Sequence, residues 1–597
     1  MKLSDYVVDF YAEHAHEKGI KDAFLLAGGG IMHLLDSIAK SDINKYYNLH
    51  EQASAFAADG YGQFANKPAL VLATTGPGAT NTITGVASAY IDSIPMIVIT
   101  GQVKRADITK IKGVRQTGGQ EIDIVSMAKG ITKYAKTILD ENTIKYELEK
   151  AWHLANTGRK GPVLLDIPLD VQAQDINPDT LENYIANDQE PSASEVEIQQ
   201  VYELLKSAER PCLLVGSGVV LADAKNDLIK LVNAMQIPTV SSQRVKRLFS
   251  KENARYYYGS VGVVDSRAGN YVLQNSDLLL VLGSGLRYYM TAYNEPGFAP
   301  KAKKIIVNIH QPEIEKLRMP VEQAVVSDAG EFIRSLYNLY VKQQETVGSE
   351  KWHVYCDRVR DKYKFDINSL EHDAERTDGY LVTNAINKYA VYDDIFFISS
   401  SAYDYPYNVY SIHDNQDQIC PIGLGSMGAT LPQVIGVAAA AGKRRVLVGE
   451  GDGSLQHNIQ ELALLRTYSL PIKLFVDNNS GYAQIRNMQN RHFHGNLAGC
   501  DETSGVEFPN LELIAKAYNI PYYSIRTVAE TEEKVQKALA DNEPAIIEIF
   551  SSKDTEIVPI IKSRMGENGK MISAALEDMY PFVSKEEQIE NMSISNE

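Results

Sequence analysis

A chain of 597 residues is too long for one hydrophobic core and predicts about three domains. Hydrophobic residues at 44% and charged residues at 23% are ordinary for a globular protein, and a formal net charge of −17 argues against nucleic acid or an anionic membrane as partner. Cys212, Cys356, Cys420 and Cys500 form no CxxC pair and read as reduced residues of a cytoplasmic protein, while no basic-then-apolar leader opens the chain and no run of about 18 apolar residues is present to cross a membrane.

Residues 1–170 alternate helices and strands. Tyr6 to Lys18 has helical periodicity. Asp22–Leu26 is a short strand closed by Gly28-Gly29-Gly30, and a helix follows from Ile31 to Ile38. His50-Glu51-Gln52 then opens a helix of small residues, Ala53 to Gln63. Glu51 by itself reads as an acid favoured at a helix start. Ala69–Ala73 is a buried strand running into the Gly-rich loop Thr74-Thr75-Gly76-Pro77-Gly78-Ala79-Thr80-Asn81, and Met96–Thr100 is the next strand. This order predicts an α/β fold with a doubly wound parallel sheet.

The polar, Pro-containing stretch 176–198 reads as a linker after a first domain at 1–175. A second Rossmann-like unit at 199–340 has strands Cys212–Val215, Asp277–Leu282 and Lys304–Asn308, with glycine turns at Gly216-Ser217-Gly218 and Gly283-Ser284-Gly285. Such turns alone are weak evidence for a dinucleotide. Residues 341–378, charged and loosely periodic, read as another linker.

A third unit at 379–555 opens with helix Leu381–Tyr389 and strand Asp394–Ile398, ending in Ser399-Ser400-Ser401, three hydroxyls that fit either a diphosphate or a plain polar turn. Strand Val446–Val448 runs into Gly451-Asp452-Gly453-Ser454; a helical run, Asn458 to Leu465, follows, then strand Ile472–Val476 and Asp477-Asn478-Asn479. A lone Gly-Asp-Gly is a tight turn. Paired with an asparagine at the end of the next strand, it offers Asp452 and Asn479 as oxygen ligands for a hard divalent ion such as Mg²⁺. Both lie at the carboxyl edge of the sheet, where open α/β sheets bind ligands. Residues 556–597 form a tail, charged and frayed from Glu586.

The spacing from Gly451-Asp452-Gly453 to Asn478-Asn479 resembles the thiamine diphosphate motif. His50-Glu51-Gln52-Ala53, Thr75-Gly76-Pro77-Gly78-Ala79-Thr80-Asn81, Asp92-Ser93-Ile94-Pro95, Gln120-Glu121 and Gly158-Arg159-Lys160-Gly161-Pro162 are similar to segments of acetolactate synthases, in the same order, and with the later motifs the likeness covers nearly the whole chain. The resemblance implies three Rossmann-like domains of the thiamine diphosphate enzyme fold and an enzyme acting on a 2-oxo acid, with thiamine diphosphate and Mg²⁺ as cofactors. Glu51 would then bond the cofactor's aminopyrimidine and assist loss of the thiazolium proton, with Pro77 and Asn81 beside the cofactor. Gly425 would supply a carbonyl to the aminopyrimidine, and Met427 would wedge between the two rings. Asp452, Asn479 and Gly481 would hold the metal, with Gly451, Gly453 and Ser454 at the diphosphate. Gln120 and Lys133 fall where the family has groups near substrate. His33 stands where the family usually has proline, and packing explains it equally well.

In acetolactate synthases the middle domain binds FAD, and the matching positions are Arg159, Gly216, Gly218 and Arg287. Two departures leave FAD open: Asn308-Ile309-His310 replaces an acidic triplet, and Leu286-Arg287-Tyr288-Tyr289 lacks acidic residues. Thiamine decarboxylases carry the same middle fold without flavin. Met488 stands where the synthases carry tryptophan; this and the tail resemble homologues associated with nucleotide-sugar pathways. The reading is a carboligase that decarboxylates pyruvate and joins the two-carbon unit to a second carbonyl, giving 2-acetolactate from two pyruvates. Its alternatives are a 2-oxo acid decarboxylase and transfer of activated acetaldehyde to a keto-sugar nucleotide. A non-catalytic binding protein is disfavoured because Glu51, Asp452 and Asn479 are all present. The family's site lies between subunits, implying a homodimer or homotetramer; no residue points to a regulatory subunit.

Overall fold

Strands such as Met96–Gln102 and Leu278–Leu282 are buried at every position, the pattern of a parallel sheet covered by helices on both faces. The structure, a computed structural model, describes all residues except 14–18, 112, 188, 265, 371, 374, 392, 400–411, 553–556, 566–570, 573 and 595–597, with side chains also left out at 564, 565, 571 and 572. Three parallel six-stranded sheets result. The first contains β1 (Asp22–Leu25), β2 (Asn44–Tyr47), β3 (Leu70–Ala73), β4 (Met96–Gln102), β5 (Tyr134–Thr137) and β6 (Pro162–Pro168), in the order β2-β1-β3-β4-β6-β5. The second contains β7 (Pro211–Val215), β8 (Thr239–Ser241), β9 (Tyr257–Ser260), β10 (Leu278–Leu282), β11 (Lys303–Asn308) and β12 (Gln323–Val326), in the order β12-β11-β10-β7-β8-β9. The third contains β13 (Ile395–Ile398), β14 (Asp417–Ile419), β15 (Val446–Gly451), β16 (Ile472–Asn478), β17 (Tyr522–Ile525) and β18 (Ala545–Phe550), in the order β14-β13-β15-β16-β18-β17.

The first and third sheets thus repeat one topology. Their equivalent helices, Glu51–Ala65 after β2 and Thr430–Ala440 after β14, pack against each other. Glycines permit the crossing: a Cβ at Gly60 would stand 2.0 Å from the Gln433 carbonyl oxygen, and one at Gly436 1.8 Å from that of Ala57. One apolar core runs through both domains here, from Val71 and Val86 to Val434 and Val448.

The structure departs from the sequence reading in three places. The stretch taken as a linker at 341–378 contains a helix, Glu350–Lys362, whose Trp352, Tyr355, Cys356 and Val359 are buried in the central domain. Their spacing is one helix face, and the Trp352 indole donates to the Pro211 carbonyl at 2.9 Å. The tail is not frayed from Glu586: Lys585–Met592 is a helix whose Asn591 is buried, its carbonyl accepting from Asn275 and Tyr355. The helical run from Asn458 is a tight turn, Gln456–Glu461, kinked at Asn458, before a short helix at Leu462–Thr467. The first helix spans Leu3–Glu13, so the rest of the stretch read through Lys18 lies outside the described residues, as do Ser400 and Ser401.

Candidate active site

Glu51 is the first residue of its helix and is buried, with His50 as the N-cap. Its Oε2 accepts from Asn81 Nδ2 at 3.0 Å. Asn81 ends the short helix Pro77–Asn81 that opens from the Gly-rich loop. Gly78 lets this helix approach: a Cβ there would lie 3.0 Å from Glu51 Oε1 and 2.7 Å from a Thr74 methyl. Gly76 has φ +66, and a Cβ on it would come within 2.4 Å of the Gln120 carbonyl oxygen. Glu51, Pro77, Asn81 and Gln120 are therefore drawn to one carboxyl edge of the first sheet. Lys133 is not: it precedes β5 at the amino end of the strand, and its Nζ donates to the Thr157 carbonyl at 2.6 Å. His33 is half-buried on the helix Met32–Lys40.

At the carboxyl end of β15, the buried Asp452 accepts from the Gly453 N–H at 2.8 Å and from the Gly481 N–H at 3.1 Å. Burial pushes its carboxyl up to about 7; the Gly481 N–H opposes this and Asp477 adds to it. Asn479 is buried at the end of the neighbouring strand β16, its main-chain carbonyl held by Arg486 at 3.1 Å. Gly481 has φ +139 and packs so tightly that a Cβ would stand 2.1 Å from the Cys500 carbonyl oxygen. Asp452, the Asn479 amide and the main-chain carbonyl of Gly481 would offer an all-oxygen donor set of the kind that fits Mg²⁺, and a cation beside Asp452 would offset the cost of its burial. Among the described residues no cluster of three His, Cys, Asp or Glu side chains offers a metal site elsewhere.

The loop carrying Gly425 and Met427 is clamped to this turn. Ser454 Oγ accepts from the Gly428 N–H at 2.9 Å, and Asn458 Nδ2 donates to the Gly428 carbonyl at 2.8 Å and to Gln52 Oε1 at 3.1 Å. Gly425, at φ +70, has open space around it, and Met427 is 45% exposed. Ser399 hydrogen-bonds Thr430 at 2.6 Å. The same turn contributes Glu461, fully buried, whose carboxylate accepts from Asn48 Nδ2 at 2.9 Å and from the Leu49 N–H at 3.0 Å. Sequence reasoning placed Asn458 and Glu461 on a helix and gave neither a role; two polar side chains at buried positions of an apolar run were the available signal.

A third feature is a cavity of about 810 Å³ between the domains. Arg159, Gly218 and Arg287 line it, and Gly216 lies two residues before Gly218 in the same β7 turn. Arg159 pairs with Glu313 at 2.6 Å, and Arg287 and Arg244 converge on the buried Asp92 at 3.3 and 2.8 Å. The volume lies within the range of cofactor pockets.

Three family profiles match the chain: thiamine pyrophosphate enzyme, N-terminal TPP binding domain, over residues 1–127; central domain, over 198–336; and C-terminal TPP binding domain, over 403–549. Among curated proteins, the chain is similar to acetolactate synthase 1, chloroplastic, of Oryza sativa subsp. japonica, at 30% identity over 93% of this chain and 86% of that one. It is likewise similar to the acetolactate synthase isozyme 1 large subunit of Escherichia coli, at 28% over 93% and 95%, and to acetolactate synthase 1, chloroplastic, of Zea mays, at 29% over 93% and 87%.

Proposed function

Because this chain belongs to the thiamine pyrophosphate enzymes of the acetolactate synthase type, we propose that it decarboxylates pyruvate and transfers the two-carbon unit to a second carbonyl, giving 2-acetolactate when that carbonyl is another pyruvate. The observation that carries this is the buried Glu51–Asn81 pair on the first sheet, matched by the oxygen set around Asp452 on the third. Thiamine diphosphate, when bound, supplies a carbon nucleophile that takes up the 2-oxo acid and holds the electron pair left by CO₂. Glu51 would hydrogen-bond the aminopyrimidine and assist its proton transfer. Asp452, Asn479 and Gly481 would hold Mg²⁺, with Gly451, Gly453 and Ser454 at the diphosphate. The Gly425 carbonyl would accept from the aminopyrimidine, Met427 would pack between the rings, and Gln120 would lie near the substrate.

FAD is proposed for the cavity lined by Arg159, Gly218 and Arg287, supported by its size and by the glycine turns at its wall. A homodimer, or a dimer of dimers, is supported by apolar side chains left exposed around both half-sites: Met32 and Leu49 on one, Leu424, Met427 and Met488 on the other. The four buried cysteines, none in a disulfide among the described residues, support a reducing, cytoplasmic setting, and no helix among the described residues is long and apolar enough to cross a membrane. A second reading, a larger acceptor such as a keto-sugar nucleotide, is favoured by Met488, a flexible side chain exposed on the helix Ala483–Phe493. Incubation with labelled pyruvate, Mg²⁺ and thiamine diphosphate, with product identification, tests both. Labelled acetolactate is the expected product. An adduct formed only with an added keto-sugar nucleotide establishes the second reading, acetaldehyde alone makes the protein a decarboxylase, and unconsumed pyruvate overturns the proposal.

A further inference from the structure

Carboxylates are almost never fully buried without a charged partner. Glu461 is an exception: it is fully buried, and among the described residues it forms no salt bridge. Its compensation comes from N–H groups, and nearly all of them belong to one segment. Asn48 Nδ2 and the Leu49 N–H donate at 2.9 and 3.0 Å, and the His50 N–H also acts on the carboxylate. Gln460 adds a long contact at 3.5 Å.

Residues 48–50 are the three that precede Glu51. They leave β2 and enter the Glu51 helix, with the Asn48 N–H bound to the Leu25 carbonyl at 2.9 Å and His50 extended at φ −153, ψ 139 as the N-cap. A carboxylate that receives the Leu49 N–H and the Asn48 side chain on its two oxygens fixes that peptide plane, and with it the direction in which the chain enters Glu51. Asn81 then fixes the far end of the Glu51 side chain. The interface has other bonds to hold the two domains together, including Tyr468 Oη to the Tyr47 N–H at 2.8 Å and Gln433 to Asp59 at 2.8 Å. Glu461 differs from these in acting on the residues next to the carboxylate that does the chemistry.

We propose that Glu461, from the third domain, is a positioning residue for Glu51, holding the 48–50 segment so that the Glu51 carboxylate meets its partner in register. This rests on the role given to Glu51 above. Misplacing a reacting group by about 1 Å costs on the order of 100-fold in rate, so a lost clamp is read in kcat rather than in substrate binding.

The test compares Glu461→Gln, Tyr468→Phe, Glu51→Gln and the Glu51→Gln/Glu461→Gln pair in the full-length enzyme with Mg²⁺ and thiamine diphosphate. Glu461→Gln keeps the shape but turns an amide N–H₂ toward N–H donors. It is expected to lower kcat by about 10- to 100-fold with an unchanged KM for pyruvate. Without cofactor, it is expected to speed hydrogen exchange of the Leu49–Gln52 amides. Tyr468→Phe, which loosens the same interface, should leave kcat unchanged, and the double variant should be no slower than Glu51→Gln alone. Asn48→Ala, which removes one donor from the other side, gives the same pattern at smaller amplitude and serves if Glu461→Gln does not fold. An unchanged kcat in Glu461→Gln, an equal loss in Tyr468→Phe, or a multiplicative loss in the double variant overturns the proposal while leaving Glu51 its role. Full activity in Glu51→Gln overturns that role and the proposal with it.

Discussion

Two buried carboxylates show how differently one residue type is used. Among the described residues Asp452 is held by main-chain N–H groups, and burial drives it toward the neutral form. Asp452→Ala removes the only charged group of the donor set. It should weaken Mg²⁺-dependent retention of thiamine diphosphate by more than the roughly 10- to 100-fold that loss of an outer partner costs; unchanged affinity by calorimetry would remove Asp452 from the metal site. Asp166, at the end of β6, instead serves the fold. It accepts from Thr100 and Gln102 at 2.8 and 3.1 Å and from Thr137 at 3.2 Å, yet burial pushes its carboxyl up to about 7. A carboxyl raised in the folded state contributes stability at low pH and loses it as pH rises from 3.8 through about 7. Asp166→Asn removes that dependence, so its stability relative to the parent should improve by about 2–3 kcal/mol between pH 5 and pH 8. Parallel denaturant curves at the two pH values measure this, and a constant offset would refute it.

Among the elements, the crossing of the Glu51 and Thr430 helices sets how the first and third domains of the chain are held together. Alanine in place of glycine inside a helix ordinarily gains about 1 kcal/mol. At Gly436 the added Cβ would meet the Ala57 main-chain oxygen at 1.8 Å, a neighbour that cannot rotate away. Overpacking costs about 1–3 kcal/mol or more, so it outweighs the propensity gain. Gly436→Ala is expected to lower the unfolding midpoint, and a rise in the midpoint would show that the crossing is looser than these distances say. The Glu350–Lys362 helix makes the same point for the central domain. Trp352 is fully buried there, and Trp352→Ala should cost about 3–5 kcal/mol, read by the same denaturant titration. A loss under about 1 kcal/mol would fit the linker that composition suggested.

For the whole molecule, the cavity of about 810 Å³ lies where the domains meet, and Asp92 of the first domain anchors Arg244 and Arg287 of the second at its wall. An absorbance scan of freshly purified protein should show flavin; its absence, with no gain in activity on adding FAD, would point to a flavin-free carboligase. Light scattering in solution should give a dimer or tetramer, because Met427 and Leu49 are left exposed on the single chain. An active monomer would mean that one chain completes the site alone.

The sequence by itself determined the three α/β units and the Gly-Asp-Gly turn with its asparagine, because strand-to-glycine turns are encoded within a few neighbouring residues, whereas Glu51 by itself reads as a helix-start acid and was singled out by likeness. It missed the Glu350–Lys362 and Lys585–Met592 helices because their charged faces dominate composition while one buried stripe carries the packing. It grouped Lys133 with the substrate by likeness alone, and only the sheet's direction puts that residue at the amino end of β5. The clamp of Glu461 on residues 48–50, the Asn458 bridge and the glycine crossing were decided by tertiary structure. Leu49 and Glu461 stand 412 positions apart, and no local pattern encodes a contact whose two halves meet only after both sheets have formed.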